Sequence, residues 1–156
     1  MLSNEAQVLS ELLVANGLTI SVAESCTGGA LSHTITSIPG ASSYFDCGYI
    51  TYSNQSKTEM LGVDIQAIKT YGAVSEEIAL EMVIGLATKS HSDVAVSITG
   101  VAGPTGGTSE KPVGMICFGF SCYDKTSTST QLFSGDRVSI VSQSVSYALR
   151  QISLRF

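Results

Sequence analysis

A serine lies in a turn of small residues near the start of the chain. Ser25 belongs to Ala23–Gly29, read as A-E-S-C-T-G-G, which follows the β-branched run Thr19–Val22 and precedes a helix-like stretch. A strand that ends in such a turn presents a hydroxyl, and its glycines let backbone amides approach a ligand closely. The start of the next helix favours an anion or a developing oxyanion. The turn therefore predicts a small-molecule site, with Ser25 as a nucleophile or the amides as a phosphate cradle.

Ser25 needs a base to act as a nucleophile, since serine is also common in turns as a helix cap. Histidine is the usual base, but His33 lies inside a predicted helix and His91 at a helix end, with no evident path to Ser25. Lys57 is the better candidate because it closely follows a predicted strand end. A lysine acts as a base only when neutral, so its pKa must fall from about 10.4 towards 7 or 8 through burial or a nearby cation. The alternative is a solvated helix lysine.

Two residues beside this pair allow more than one role. The Tyr52 hydroxyl could orient a group or relay a proton, or the ring could simply pack on a helix. Cys26 is a rival nucleophile because a place at a helix start lowers a thiol pKa, although a small buried cysteine is equally natural there. Ser25 and Cys26 are adjacent, so we expect only one of them to face the site.

A second glycine-rich loop, Gly100–Gly107, follows the apolar run Val94–Thr99. It lacks the lysine of a P-loop and the spacing of a dinucleotide fingerprint, but it can form a nest of amides that binds an anion. The alternative is a flexible surface connection. Arg137 could clamp a phosphate or carboxylate with its planar guanidinium, or it could pair with Asp136 at a helix start.

Alternating helix and strand patterns place these residues on an α/β sheet. The patterns predict helices at residues 3–16, 30–38, 56–61, 75–90 and 136–154, and strands at residues 19–22, 46–52, 94–99, 113–122 and 129–133. Buried strands between helices predict a sheet covered by helices, with the last two strands antiparallel. Ligands bind beyond the carboxyl ends of strands in such sheets, so the loops after Val22, Ile50 and Ile98 should converge on one crevice.

The composition indicates a globular protein and excludes some partners. The 156 residues are 44% hydrophobic and 13% charged, with a net charge of −5 and a pI near 4.8. We expect one domain over residues 1–156, and the sparse charge favours a homo-oligomer, a dimer or larger. The eight scattered basic residues predict no nucleic-acid partner. Without a signal peptide or a long apolar run, the protein should be cytoplasmic, without a membrane span. The cysteines lack metal-site spacing with either histidine, so we expect reduced thiols and no metal.

Six short motifs occur in order along almost the whole chain. They are A-E-S-C-T-G-G at 23–29, T-Y-S-N-x-x-K at 51–57, G-A-V-S at 72–75, T-G-V-A-G-P-x-G-G at 99–107, K-P-V-G at 111–114 and F-S-G-D-R at 133–137. Together they resemble the CinA C-terminal family, which includes nicotinamide-nucleotide amidases. Many members of that family carry a large N-terminal domain, which we expect this chain to lack.

The resemblance implies a single three-layer α/β domain, with helices packed on a mixed, largely parallel sheet. It implies hydrolysis of the carboxamide of nicotinamide mononucleotide to nicotinate mononucleotide and ammonia, in pyridine-nucleotide salvage, without a metal or an organic cofactor. Carried over by position, the catalytic residues are the nucleophile Ser25, the base Lys57, and also Tyr52 and Thr99. The expected substrate-binding residues are Cys26, Thr27, Gly28, Gly29, Ser53, Asn54, Gly100, Gly103, Gly106, Gly107 and Arg137.

The expected mechanism is acyl transfer. Neutral Lys57 takes the proton of Ser25, and Ser25 attacks the carboxamide carbon while the amides of Cys26–Gly29 hold the oxyanion. Ammonia then leaves, and water hydrolyses the ester.

The remaining site residues have expected roles in binding. Thr99 and Tyr52 position the water or the amide, and the Gly100–Gly107 loop with Arg137 holds the phosphate. Two alternatives stay open. One is a nucleotide-sensing or partner-binding module without turnover, linked to competence or DNA damage, and the other is an amidase that uses Cys26.

Overall fold

The computed structural model describes residues 2–156, which form six α-helices and a five-stranded mixed sheet. The helices are α1 (Leu2–Asn16), α2 (Ala30–Thr36), α3 (Asn54–Leu61), α4 (Ile65–Tyr71), α5 (Glu76–Ser90) and α6 (Arg137–Ser153). The strands are β1 (Ile20–Glu24), β2 (Phe45–Ile50), β3 (Val94–Gly100), β4 (Met115–Cys122) and β5 (Lys125–Leu132). Among the described residues, none of the helices combines the length with the apolar character needed to cross a membrane.

The sheet has the strand order β2-β1-β3-β4-β5. The strand β1 pairs in parallel with β2 and β3, whereas β3 with β4 and β4 with β5 pair antiparallel. A hairpin joins β4 to β5 through Tyr123 and Asp124, whose φ angles of 50° and 60° suit a tight two-residue turn. The predicted mixed sheet, with an antiparallel pair at its end, is confirmed.

Helices cover both faces of the sheet, as the three-layer prediction requires. One buried cluster joins α1, α2 and α6 to the sheet, and the other joins α3, α4 and α5 to it. Neighbouring strand residues point to opposite faces, so Val22 lies in the first cluster and Ala23 in the second. The same alternation sends the side chains of Glu24 and Ser25 towards different helices, α2 and α3 respectively.

Several element boundaries differ from the prediction. The helix α1 begins at Leu2, one residue before its predicted start. The helix α4 was not predicted, because seven residues carry too little periodicity; Asp64 caps it by accepting from the Gln66 amide. The strand β5 begins at Lys125 because it pairs along the whole length of β4, although its alternation of small polar residues gives a weak sequence signal.

The carboxyl ends of β1, β2 and β3 meet at one edge of the sheet. The ladder continues one residue past the strands, since the Ser25 amide donates to the Ile98 carbonyl (2.9 Å) and the Thr51 amide to the Glu24 carbonyl (2.8 Å). The predicted convergence of the three loops on one crevice is therefore confirmed.

Candidate active site

Ser25 and Lys57 are in direct contact at this edge. Lys57 Nζ donates to Ser25 Oγ at 2.9 Å and to the Thr51 carbonyl oxygen at 2.8 Å. The lysine reaches this position because α3 starts directly after the β2 end, where Ser53 caps the helix in a reciprocal capping box with Ser56. The helix was predicted to begin at Ser56 and begins two residues earlier, at Asn54.

The Lys57 amine is buried, with 1% of the residue exposed to solvent. No carboxylate forms an ion pair with it in residues 2–156, where the one ion pair joins Arg150 to Glu5. Burial penalises the charged ammonium, and this lowers the pKa of Lys57 below its ordinary value. The solvated-lysine alternative is excluded, and the partial desolvation that a lysine base requires is present.

Cys26 is a poor nucleophile in this environment. Burial raises the pKa of its thiol to about 12, so the expectation that a helix start would lower that pKa is wrong. Desolvation outweighs the local amides because the side chain packs into the cluster with α1, α2 and α6. Cys26 and Ser25 both line the crevice, so the expectation that only one would face it is also wrong.

Glu24 is a residue that the sequence analysis missed. Its carboxylate is fully buried and accepts four hydrogen bonds, from the amides of Gly29 (3.1 Å), Leu31 (3.0 Å) and Ser32 (2.8 Å) and from the Ser32 hydroxyl (2.7 Å). These bonds satisfy the first turn of α2 and fix the turn that carries Ser25. An acidic residue shortly before a helix start was the available signal.

Two of the four amides expected to hold the oxyanion already donate hydrogen bonds within the turn. The Gly29 amide donates to the Glu24 carboxylate, and the Gly28 amide donates to the Ser25 carbonyl at 3.1 Å. Within residues 2–156, the amides of Cys26 and Thr27 donate no hydrogen bond to another residue. Of the four amides expected to hold an oxyanion, only these two are available.

The crevice is a cavity of about 280 Å³. Ten of the predicted site residues line it: Ser25, Cys26, Tyr52, Asn54, Lys57, Thr99, Gly100, Gly103, Gly106 and Arg137. Five others do not: Thr27, Gly28, Gly29, Ser53 and Gly107. The lining also includes Ala73 and Val74, which were not predicted, and Val101, Ala102 and Thr105, which belong to the predicted Gly100–Gly107 loop but were not named individually.

Three of the five residues outside the lining have structural roles beside the cavity. Gly29, with φ of 102°, turns the chain into α2 under the Ile50 side chain, and the Ser53 hydroxyl accepts from the Ser56 amide at 3.1 Å. Gly107 lies so close to the Val113 amide that a Cβ there would approach it to 2.7 Å. A side chain at that position would displace the loop backbone.

Arg137 connects two sides of the crevice. Its Nη1 donates to the Gly103 carbonyl and its Nη2 to the Tyr52 hydroxyl, both at 2.7 Å. Asp136 instead caps α6 by accepting from the Ser139 amide at 2.8 Å, so the predicted alternative of an Asp136–Arg137 pair is not found. Tyr52 is 58% exposed, which excludes the alternative of a ring buried against a helix.

The Gly100–Gly107 loop and Thr99 complete the lining. No acceptor in residues 2–156 contacts the amides of Ala102, Gly103, Thr105 or Gly106, which leaves them available to an anion. The Thr99 hydroxyl donates to the Ala73 carbonyl at 2.8 Å, so only its oxygen lone pairs are left for a ligand. The described part of the chain contains no group of three or more His, Cys, Asp or Glu side chains that could hold a metal ion.

The sequence model of the CinA C-terminal domain matches residues 3–155. The chain belongs to the CinA C-terminal domain family. The match spans all six motifs, so the resemblance inferred from them is confirmed.

CinA-family relatives of similar length carry an enzyme name. A protein from Escherichia coli K12 is 43% identical over 161 residues, covering 100% of this chain and 98% of the relative. One from Enterobacter agglomerans is 47% identical over 144 residues, covering 92% and 87%. Both are named nicotinamide-nucleotide amidohydrolase PncC. Other relatives are longer: the matched region is only 32% of a CinA-like protein from Chloroherpeton thalassium, which is 48% identical over 134 residues, or 83% of this chain.

Solved structures of the CinA superfamily share the fold. A crystal structure from Escherichia coli has a TM-score of 0.95 and 33% identity, covering 99% of this chain and 90% of that one. The competence/damage inducible protein CihA from Agrobacterium tumefaciens has a TM-score of 0.94 and 35% identity, covering 97% and 93%. The predicted fold class is confirmed.

Proposed function

We propose that this CinA-family chain hydrolyses the carboxamide of nicotinamide mononucleotide, releasing nicotinate mononucleotide and ammonia. The chain is an amidohydrolase, in line with relatives of that name at 43–47% identity over most of its length. The observation that carries the proposed mechanism is the 2.9 Å contact between Lys57 Nζ and Ser25 Oγ. This contact gives a serine nucleophile a buried amine as its base.

The first half of the reaction acylates Ser25. Neutral Lys57 removes the hydroxyl proton, and Ser25 Oγ bonds to the carboxamide carbon to form a tetrahedral intermediate. The protonated Lys57 then gives that proton to the departing nitrogen, the C–N bond breaks, and ammonia leaves. The Thr51 carbonyl, which accepts a hydrogen bond from Nζ, keeps the amine aligned throughout.

Two sets of groups stabilise and orient the reacting amide. The free amide of Cys26, which lines the cavity, is the proposed donor to the oxyanion; the Thr27 amide is adjacent to it but lies outside the lining. Because the Thr99 hydrogen is committed to Ala73, the Thr99 oxygen acts as an acceptor for the amide N–H of the substrate. A water molecule, deprotonated by Lys57, then hydrolyses the ester and restores Ser25.

The phosphate is assigned to the part of the cavity that is lined by the glycine-rich loop and Arg137. The free amides of Gly103, Thr105 and Gly106 form a nest there, and the Arg137 guanidinium adds a fixed positive charge. The Tyr52 hydroxyl accepts from Arg137, so its own hydrogen is left to donate to the substrate. The carboxamide thereby faces Ser25 while the phosphate lies on the glycine loop.

Ammonia release from nicotinamide mononucleotide by the purified chain tests this function directly. We expect turnover with the mononucleotide and none with an unrelated primary amide such as glutamine. A ligand that raises the thermal stability of the chain without release of ammonia would instead support the non-catalytic binding module, because binding alone stabilises a fold.

A further inference from the structure

Lys111 lies in the connection between β3 and β4, residues 101–114, which contains the glycine-rich loop, and its side chain reaches the end of α4. Its Nζ donates to the carbonyl of Tyr71, the last residue of that helix. Nζ lies directly over the next residue, since a methyl group on Gly72 would come within 2.6 Å of it. A cation is favourable at the carboxyl end of a helix, where carbonyls lack intrahelical partners. Lys111 therefore fastens the loop to α4 without lining the cavity itself.

The loop holds Lys111 in a defined position. At its base, the Gly114 amide donates to the Val101 carbonyl at 2.7 Å. Near its tip, Thr108 and Lys111 exchange two hydrogen bonds: the Thr108 amide donates to the Lys111 carbonyl (2.9 Å), and the Lys111 amide donates to the Thr108 hydroxyl (3.0 Å). The hydrogen bonds that fix the backbone at Lys111 are thus separate from the contact of its side chain with α4.

Two cationic side chains restrain the segment Gly103–Gly106 from opposite sides. Arg137 holds the Gly103 carbonyl, and Lys111, five residues after Gly106, holds the far end of the loop against Tyr71. The amides of this segment donate no hydrogen bond within residues 2–156, so Gly103–Gly106, unlike Thr108–Lys111, has few hydrogen bonds of its own to fix its shape. The two tethers therefore help to set the position of the amides, together with the packing of Gly103 and Gly107 against Val113.

Lys111 also contacts the segment that leads into the cavity wall formed by Ala73 and Val74. Ala73 and Val74, which follow the Tyr71 carbonyl, line the cavity, and the Ala73 carbonyl accepts from Thr99. The connection between α4 and α5 is held at two carbonyls, one by Thr99 and one by Lys111. The contact of Lys111 with Tyr71 thus connects the cavity wall at Ala73 and Val74 to the glycine-rich loop.

We propose that Lys111 is a positioning residue that sets the affinity for the phosphate group of the substrate, by holding the Gly103–Gly106 amides in their binding arrangement. The proposal rests on the assignment of the phosphate to this loop in the proposed function. Without the tether the loop samples more conformations, and phosphate binding must then order it at a cost in conformational entropy. Ser25 and Lys57 belong to other elements, so the chemical step is left intact.

The test compares three variants on two substrates. Lys111→Met removes the tether, Lys111→Arg keeps a donor, and Lys69→Met is the matched control, since Lys69 is exposed and lies in the same last turn of α4. For Lys111→Met we expect the KM for nicotinamide mononucleotide to rise about ten-fold, with kcat within about two-fold. The KM for nicotinamide riboside, which lacks the phosphate, should stay unchanged, and Lys111→Arg should recover most of the loss.

Two outcomes of the kinetic comparison would overturn the proposal. One is an equal rise in KM for the mononucleotide and the riboside, which would indicate a general distortion of the cavity. The other is an equal effect of Lys69→Met, which would indicate that only the positive charge at the end of α4 matters.

Calorimetry of inorganic phosphate binding tests the role of Lys111 independently of the proposed amidase activity, because the measurement needs no turnover. Weaker phosphate binding by Lys111→Met than by Lys69→Met supports the tether even if the chain releases no ammonia. Equal binding by the two variants overturns it, and so does an absence of phosphate binding by the unmodified chain.

Discussion

Lys57 Nζ lies 2.9 Å from Ser25 Oγ, although 32 residues separate the two in sequence. The amine has the Ser25 hydroxyl and the Thr51 carbonyl as its partners, and no carboxylate within residues 2–156 forms an ion pair with it. Burial without a counter-charge favours the neutral amine. The pair therefore has the arrangement of a nucleophile and its base.

The first prediction concerns which side chain is the nucleophile. Ser25→Ala and Lys57→Met should each lower ammonia release from nicotinamide mononucleotide by roughly 10²–10⁴-fold, because each removes one partner of the proton transfer. Cys26→Ser should lose less than about ten-fold, because the Cys26 thiol, with its pKa raised to about 12, stays protonated at neutral pH. Initial rates of ammonia release measure all three variants.

Ser42→Ala is a suitable control for these variants, since Ser42 is exposed and is not part of the cavity lining. Retention of activity by Ser25→Ala together with loss by Cys26→Ser would assign the nucleophile to Cys26 and contradict the proposed mechanism. Thermal unfolding of each variant shows whether a loss of rate reflects a loss of fold.

The second prediction is the sign of the pH dependence. Lys57 must be neutral to accept the proton, so kcat/KM should rise about ten-fold per pH unit below the Lys57 pKa and level off above it. Burial lowers that pKa, so the plateau should begin below the ordinary lysine value of about 10.4. Lys57→Arg should be inactive throughout, because arginine stays protonated. A rate that falls as pH rises through this range would show that a protonated group is required instead.

The third prediction concerns the bridge from Arg137 to Tyr52 and Gly103. Arg137→Met should raise the KM for the mononucleotide more than Tyr52→Phe, since it removes a charge and two hydrogen bonds whereas Tyr52→Phe removes one. The free-energy effect of the double variant on kcat/KM should differ from the sum of the two single-variant effects by about 0.5–3 kcal/mol, as expected for side chains in contact. Strict additivity would indicate that the two side chains act independently in the enzyme.

The fourth prediction concerns stability at the turn that carries Ser25. Glu24→Ala leaves three amides of the α2 start and the Ser32 hydroxyl without their acceptor, and should lower the free energy of unfolding by roughly 3–5 kcal/mol. Ser32→Ala removes only one of these donors and should cost about 1 kcal/mol. Urea denaturation compares the two. Similar losses in both variants would mean that Glu24 does not hold the turn.

The sequence predicted most of the scaffold because strong local patterns encode it. The helices α5 and α6 and the strand β3 carry clear apolar periodicity or continuous apolar runs, and each lies where it was expected. The helix α4 was missed because seven residues show too little periodicity. The cavity-lining residues Ala73 and Val74, which follow this helix, were missed as well. A homo-oligomer, a cytoplasmic location, the absence of nucleic-acid partners and a single domain over residues 1–156 stay predictions.

Residue types and motif order were enough to identify Ser25, Lys57, Tyr52, Thr99 and Arg137 as candidates and to indicate the family. Local sequence carries this information because turn chemistry, strand ends and motif spacing are properties of short segments. The contact of Ser25 with Lys57, the lowered pKa of the lysine and the raised pKa of Cys26 depend on burial and on neighbours distant in sequence. Only the tertiary structure decides these, because desolvation and hydrogen bonding across the sheet exist only once β1, β2 and α3 are packed together.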